Sequence, residues 1–252
     1  MANDILQTLY ARKSVRVFED RPISQEYRKS IIKAAFEAPT AGNQQLYTIL
    51  DITDQDVKVK LSELCDNQPF IATAPFVLVF IADCKRWLDS YQAAGCKPRK
   101  PGLGDILLAT ADSIIAAQNA VIAAESLGIG SCYIGDVIEN CEQMRELLNL
   151  PDEVMPAAML VFGWPTQQQQ ERKKPLRCED TYIVFENSYQ TLTPAQHREM
   201  FQIRAEKEQK PIFDYDSWIK AFWQRKYESD FSIEMNRSAG IYLKSFIENS
   251  KV

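Results

Sequence analysis

Residues 75–83 read PFVLVFIAD, a continuous apolar run of Val, Ile, Leu and Phe with the length of one strand. Such a run suits a strand buried on both faces, at the centre of a sheet. Working outward, LYTILDIT (46–53) reads as a strand before it, GSCYIGD (130–136) as a short strand ending in a glycine turn, and PAAMLVFGWP (156–165) as another buried strand. PISQEYRKSIIKAAFEAPTAGN (22–43) carries a helix start at Ser24, apolar residues at helical spacing and a stop at Pro39 with Gly42 beyond. DQDVKVKLSELC (54–65) and ENCEQMRELLNLP (139–151) read as short helices. A long helix rich in Ala, Ile and Leu runs from about Asp105 to Leu127 and is capped by Gly128. These elements show no regular strand–helix–strand repeat, which predicts an α+β fold.

The composition is that of an ordinary globular protein of 252 residues: 46% hydrophobic, 25% charged and 10% aromatic. A net charge of −5 without a basic run argues against nucleic-acid binding. The apolar stretch Ile106–Leu127 is broken by Asp112, Gln118, Asn119 and Glu125, so it reads as a buried helix of a soluble protein rather than a membrane span. The start, MANDILQTLY, lacks the charge and apolar run of a leader, and a cytoplasmic location is expected. Six cysteines without a Cys-x-x-Cys pair predict no metal site and read as reduced. The single histidine, His197, stands beside Arg198 and Glu199 and reads as a surface residue. If the chain is an enzyme, its hard chemistry then belongs to a cofactor.

The segment ARKSVRVFEDRPIS (11–24) suggests which kind. Arg12, Ser14 and Arg16 are spaced two apart, so in an extended segment all three side chains share one face. Two guanidiniums and a hydroxyl on one face suit an anion between them, and the forked donors of Arg suit phosphate oxygens. The plainer alternative is a solvated edge strand. GLGDIL (102–107) and GIGSCY (128–133) approach a dinucleotide fingerprint, but neither follows a strand and opens a helix. No Walker A sequence is present, so a phosphate site would be built from side chains. After TQQQQERKKPLR (166–177), a loop by composition, the pattern changes near Pro194 to aromatic-rich helices with too little Val and Ile to extend the sheet. That tail reads as an arm packing its Trp and Phe residues onto something else.

The ordered series RKSVRVF, APTAGNQQ, NQPFIATAPFVLVFIAD, AAQNAVIAAESLGIGSCYIGD, FGWP and KKPLR…FENSY resembles the FMN-dependent nitroreductase/flavin reductase family, closest to the oxygen-insensitive NADPH nitroreductase branch, over roughly residues 5–190. The resemblance implies a central mixed, mainly antiparallel sheet flanked by helices. It implies an FMN-binding core over residues 1–193, a helical extension over 194–252 packing on the dimer, and a homodimer with FMN at its interface. It gives the FMN phosphate and neighbouring ribityl oxygens to Arg12, Ser14 and Arg16, and to a second basic pair, Lys174 (or Lys173) and Arg177. Asn43 and Gln45 would face the ribityl chain and ring edge, Gln68 would lie beside the ring, and backbone N–H groups at Tyr133, Ile134 and Gly135 would reach its polar edge. Loop capping remains open for Asn43 and Gln68, and core packing for Tyr133. Asp136 departs from the branch, where a second glycine often follows that turn; the local φ and the added charge are the points in doubt.

The implied activity is ping-pong, two-electron reduction of nitroaromatics, quinones or free flavins by NAD(P)H. An FMN carrier or redox-sensing binding protein, or a reductive dehalogenase-type relative, are the alternatives. Arg237 is expected either to meet the 2′-phosphate of NADPH or to pair with Glu234 three residues earlier.

Overall fold

A computed structural model describes residues 4–210 and 212–249. The leader reading of the first ten residues therefore falls partly outside the described residues. In chain order the elements are α1 (Asp4–Ala11), α2 (Gln25–Phe36), β1 (Tyr47–Asp51), α3 (Gln55–Leu64), α4 (Pro69–Thr73), β2 (Phe76–Asp83), α5 (Lys85–Ala93) and α6 (Leu103–Ser126). They continue with β3 (Gly130–Ile134), α7 (Cys141–Leu148), β4 (Val154–Gly163), α8 (Gln167–Glu171), α9 (Pro194–Lys207), α10 (Tyr215–Lys226) and α11 (Asp230–Asn249).

The four strands form an antiparallel sheet in the order β1-β2-β4-β3. Both central strands are buried along their whole length, as their unbroken apolar runs require. Pro156 is tolerated in β4 because the register with β2 shifts there, Ile81 facing Pro156 and Phe80 facing Ala158. One face of the sheet packs on α2 and α6 through Phe76, Leu78, Phe80, Leu160 and Phe162. The other packs on α3, α4 and α7 through Val77, Val79, Ile81 and Val161. A third apolar cluster joins Tyr242 and Phe246 of α11 to Leu46, Ile106 and Met155.

Helix α6 is long and apolar enough to cross a membrane by composition. Its alanines 109, 116, 117, 120 and 124 are instead fully buried within the chain, where small side chains let α2 and the sheet lie close. Another stripe, Leu107, Leu108, Ile114 and Ile115, is exposed.

The chain divides into two compact units, Met1–Arg172 with Glu234–Val252, and Lys173–Ile233. From Glu234 onward α11 thus belongs to the unit that holds the sheet. In the second unit, Trp218 packs on Phe201 (ring centroids 4.9 Å) and Phe222 (5.3 Å), and Arg198 holds Asp216 in a two-pronged ion pair. Several of the arm's aromatic residues thus pack on one another.

Candidate functional site

The Arg12–Phe18 segment runs along β3, an edge strand. The Val15 N–H donates to the Ser131 carbonyl (2.9 Å), forming a parallel bridge between Ser14 and Ser131. An antiparallel bridge joins Phe18 to Pro165. Two glycines make room. A Cβ on Gly130 would lie 2.6 Å from a Val15 methyl, and one on Gly163 2.5 Å from the Phe18 ring. Backbone can approach this closely only where the facing residue has no side chain.

Alternation then sorts the segment. Lys13 turns away from the Arg12–Ser14–Arg16 face, and its ammonium donates to the carbonyls of Gln170 (2.6 Å) and Arg172 at the end of α8. The Arg172 guanidinium donates back to the Ser14 carbonyl. Buried Gln169 accepts from the Arg16 N–H at 3.5 Å. Composition reads residues 166–177 as loop, but residues 167–171 form the short helix that braces the segment. Lys13, Gln169 and Arg172 were not legible as site-builders. Only the parity of Lys13 within the strand hints at its role.

On the opposite face Arg12, Ser14 and Arg16 converge. Burial pushes the Cys132 thiol pKa up, while Arg16, Ser14 and Arg12 pull it down, Ser14 and Arg16 through side-chain hydrogen bonds and Arg12 by its charge. Burial likewise raises the Tyr133 hydroxyl to about 12 against the pull of Arg12. Arg12 Nε and Nη2 are buried without a hydrogen-bond partner. A desolvated guanidinium with open donors is costly unless an anion meets it.

The Arg16 guanidinium lies 6.0 Å from the Phe70 ring centre. Two residues before Phe70, the Gln68 amide donates to the Cys65 carbonyl (2.8 Å) and the Asp136 carboxylate (2.5 Å). Gly135 precedes a 3₁₀ turn at Asp136–Ile138 with φ −79°, and Asp136 is not among the residues of positive φ. The turn therefore needs no glycine at 136, and Gln68 takes up the added charge. Glu139 is buried beside Asp136; burial first, and then that neighbouring carboxylate, push its pKa up to about 8. Arg16, Phe70, Gln68 and Asp136 thus follow one another beside the turn after β3, while the Tyr133 side chain packs on the α2 and α6 side of the sheet and its hydroxyl meets Gln118 (3.3 Å), and Ile134 is buried on the other face.

Asn43 and Gln45 lie elsewhere, in the loop before β1 on the far edge of the sheet. Three strand spacings, on the order of 14 Å, separate the two edges. Gly42, Asn43 and Gln45 are all left-handed (φ 55°, 57° and 51°), which costs about 1 kcal/mol or more at each non-glycine position. The loop is held from two helices. Trp87 Nε1 donates to the Gln44 carbonyl (2.8 Å) and Arg86 to those of Gln45 (3.0 Å) and Tyr47 (2.9 Å), while buried Asp112 of α6 receives donors from Thr40, Ala41 and Leu46. The sequence marks Asp112 only as a polar break in an apolar helix.

Lys173, Lys174 and Arg177 fall in the second unit, before its first helical turn. Arg237 meets two carboxylates in the flavin-free chain. Its guanidinium is shared between Glu142 (2.8 and 2.9 Å) and Glu234 (2.7 and 2.8 Å), tying α11 to the start of α7 and holding the Glu142 carboxyl down at about 2. The pairing with Glu234 open in the sequence is present, and Glu142, 95 residues away, doubles it.

A phosphate fits this donor set, because buried open donors on Arg12 stand beside a second guanidinium and a hydroxyl on the same face. The sequence profile of the nitroreductase family matches residues 9–164, spanning the arginine segment, the sheet and the β3 turn. The chain belongs to the nitroreductase family. It is 36% identical to the oxygen-insensitive NADPH nitroreductase of Salmonella typhimurium over 188 residues, covering 74% of this chain and 75% of that protein. It is 34% identical to an FMN reductase [NAD(P)H] of Bacillus subtilis, covering 72% and 75%. Among solved structures, the NADPH:FMN oxidoreductase of Vibrio harveyi complexed with NAD+ superposes with a TM-score of 0.78 at 27% identity, over 94% of this chain and 98% of that one. Family membership bears out the resemblance read from the ordered segments, and the shared fold bears out the α+β architecture with its helical C-terminal part.

Proposed function

We propose that this nitroreductase-family chain is an FMN-dependent NAD(P)H oxidoreductase that reduces nitroaromatics, quinones or free flavins by two electrons in a ping-pong cycle. The observation that carries the reading is the pair of buried, open donors, Nε and Nη2, on half-buried Arg12, on the face it shares with Ser14 and Arg16. These residues would hold the phosphate, with Lys174 and Arg177 as the second basic pair. Gln68, fixed by Asp136, would meet the ring, and the N–H groups of Tyr133, Ile134 and Gly135 its polar edge. When bound, FMN supplies the electron transfer from nicotinamide to acceptor, which requires no histidine from the chain. All six cysteines are free, which suits a reducing cytoplasm.

Purified protein reconstituted with FMN is expected to be yellow and to bleach within seconds of anaerobic mixing with NADPH or NADH. A colourless protein would overturn the reading. Flavin that binds yet stays oxidised for minutes would make the chain a carrier.

The site is proposed to be completed by a second copy. Asn43 and Gln45 stand on the edge of the sheet opposite the arginine segment, and a two-fold axis would bring the loop of one protomer to the arginines of its partner. Leu107, Leu108, Ile114 and Ile115 of α6 and Ile5, Leu6, Leu9 and Tyr10 of α1, which packs on α6, offer an exposed apolar face for that contact. Light scattering is expected to give a dimer. Charging the face with Leu108→Glu and Ile115→Glu should yield monomers that release FMN; a stable, flavin-loaded monomer of the wild type would refute the arrangement.

A further inference from the structure

We infer that Asp112 is a positioning residue for the flavin-facing loop; this rests on the FMN reading above. Asp112 lies in the middle of α6 and is 3% exposed. The hydrogen bonds its carboxylate receives come from one short loop. Thr40 Oγ1 and the Leu46 N–H donate to one oxygen, and the Ala41 N–H lies 3.1 Å from the other. Thr40 Oγ1 also accepts the Gln45 N–H at 2.7 Å, so the carboxylate governs Gln45 through one hydroxyl.

The loop needs such a hold. Between Ala41 and Leu46 three residues take left-handed backbone, two of them with side chains, and such a path persists only where surrounding groups over-determine it. Arg86 and Trp87 grip its carbonyls, but the N–H groups at its two ends, Ala41 and Leu46, turn to Asp112. An acceptor with two oxygens and no donor matches three converging donors, whereas a carboxamide would aim an N–H at one of them. This polar break in a mostly apolar helix is thereby explained by the loop it holds rather than by solvent. Asp112 touches neither flavin nor substrate; it acts through where Gln45 is held, by way of the Thr40 hydroxyl.

The test uses full-length protein in its flavin-free and flavin-loaded forms. In Asp112→Asn and, separately, Thr40→Val, amide exchange at Ala41 and Leu46 of the flavin-free protein is expected to rise at least tenfold. Flavin-fluorescence titration should show FMN affinity falling about tenfold. In a Gln45→Ala background either substitution should add less than twofold to the loss of affinity, because the loop residue through which it acts is gone. Thr40→Val lies at a half-buried position in the loop rather than in the helix core and keeps the test decisive should Asp112→Asn fold poorly. If wild type takes up no FMN, the functional reading fails and this inference falls with it. If wild type binds FMN while Thr40→Val and a folded Asp112→Asn match it in affinity, Asp112 merely stabilises the fold. Full additivity with Gln45→Ala would overturn the inference as well.

Discussion

Arg12→Ala is expected to weaken FMN binding by about a hundredfold to ten-thousandfold while leaving the flavin-free protein at least as stable as wild type. The opposite signs follow from one observation. Arg12 Nε and Nη2 are buried and have no partner within the chain. In the flavin-free state they are desolvated donors that cost free energy, so their removal does not destabilise. In the flavin-bound state each would make a charge-assisted hydrogen bond, contributing about 1.5–3 kcal/mol, and each 1.4 kcal/mol is about tenfold in affinity. Arg12→Lys keeps the charge and loses the fork, so its affinity should fall between the two. Titration of flavin fluorescence and thermal unfolding of the flavin-free protein read the two effects separately. Unchanged FMN affinity would remove the segment from the site, and a large drop in melting temperature would make Arg12 a structural cation.

Gly130→Ala and Gly163→Ala are expected to act through the same segment from beneath. A Cβ at 163 would stand 2.5 Å from two Phe18 ring carbons and 2.9 Å from the Phe18 Cβ; at 130 it would stand 2.9 Å from the Val15 Cβ. Because main-chain-proximal atoms are involved, a rotamer change cannot clear the clash, and the strand itself must lift. Overpacking of this kind costs about 1–3 kcal/mol, which at this chain length lowers the melting temperature by roughly 2–12 °C. Lifting the strand also moves Arg12 and Arg16, so FMN should be lost on gel filtration. Gly240→Ala in α11, where an added Cβ meets nothing within 4 Å, serves as the control and should raise stability slightly. Equal melting temperatures for Gly163→Ala and wild type would refute the close approach.

Features that depend on nearby residues were legible in the sequence. Continuous apolar runs identified β2 and β4, Ser24 marked a helix start that it does cap, and alternation put Arg12, Ser14 and Arg16 on one face. The order of short motifs was enough for the family. The rest required the fold, because the partners are far apart in the chain and their side chains carry no periodicity. Lys13 holds the Arg172 carbonyl across 159 positions and Arg172 the Ser14 carbonyl across 158, Arg237 meets Glu142 across 95, and Asp136 receives the Gln68 amide across 68. Composition made residues 166–177 a loop and Asp112 an interruption, since local propensity cannot register that one braces a strand and the other holds a loop. The opposition of the arginine segment and the Asn43–Gln45 loop across the sheet likewise comes from strand order, which is set by packing among four strands rather than by any one of them.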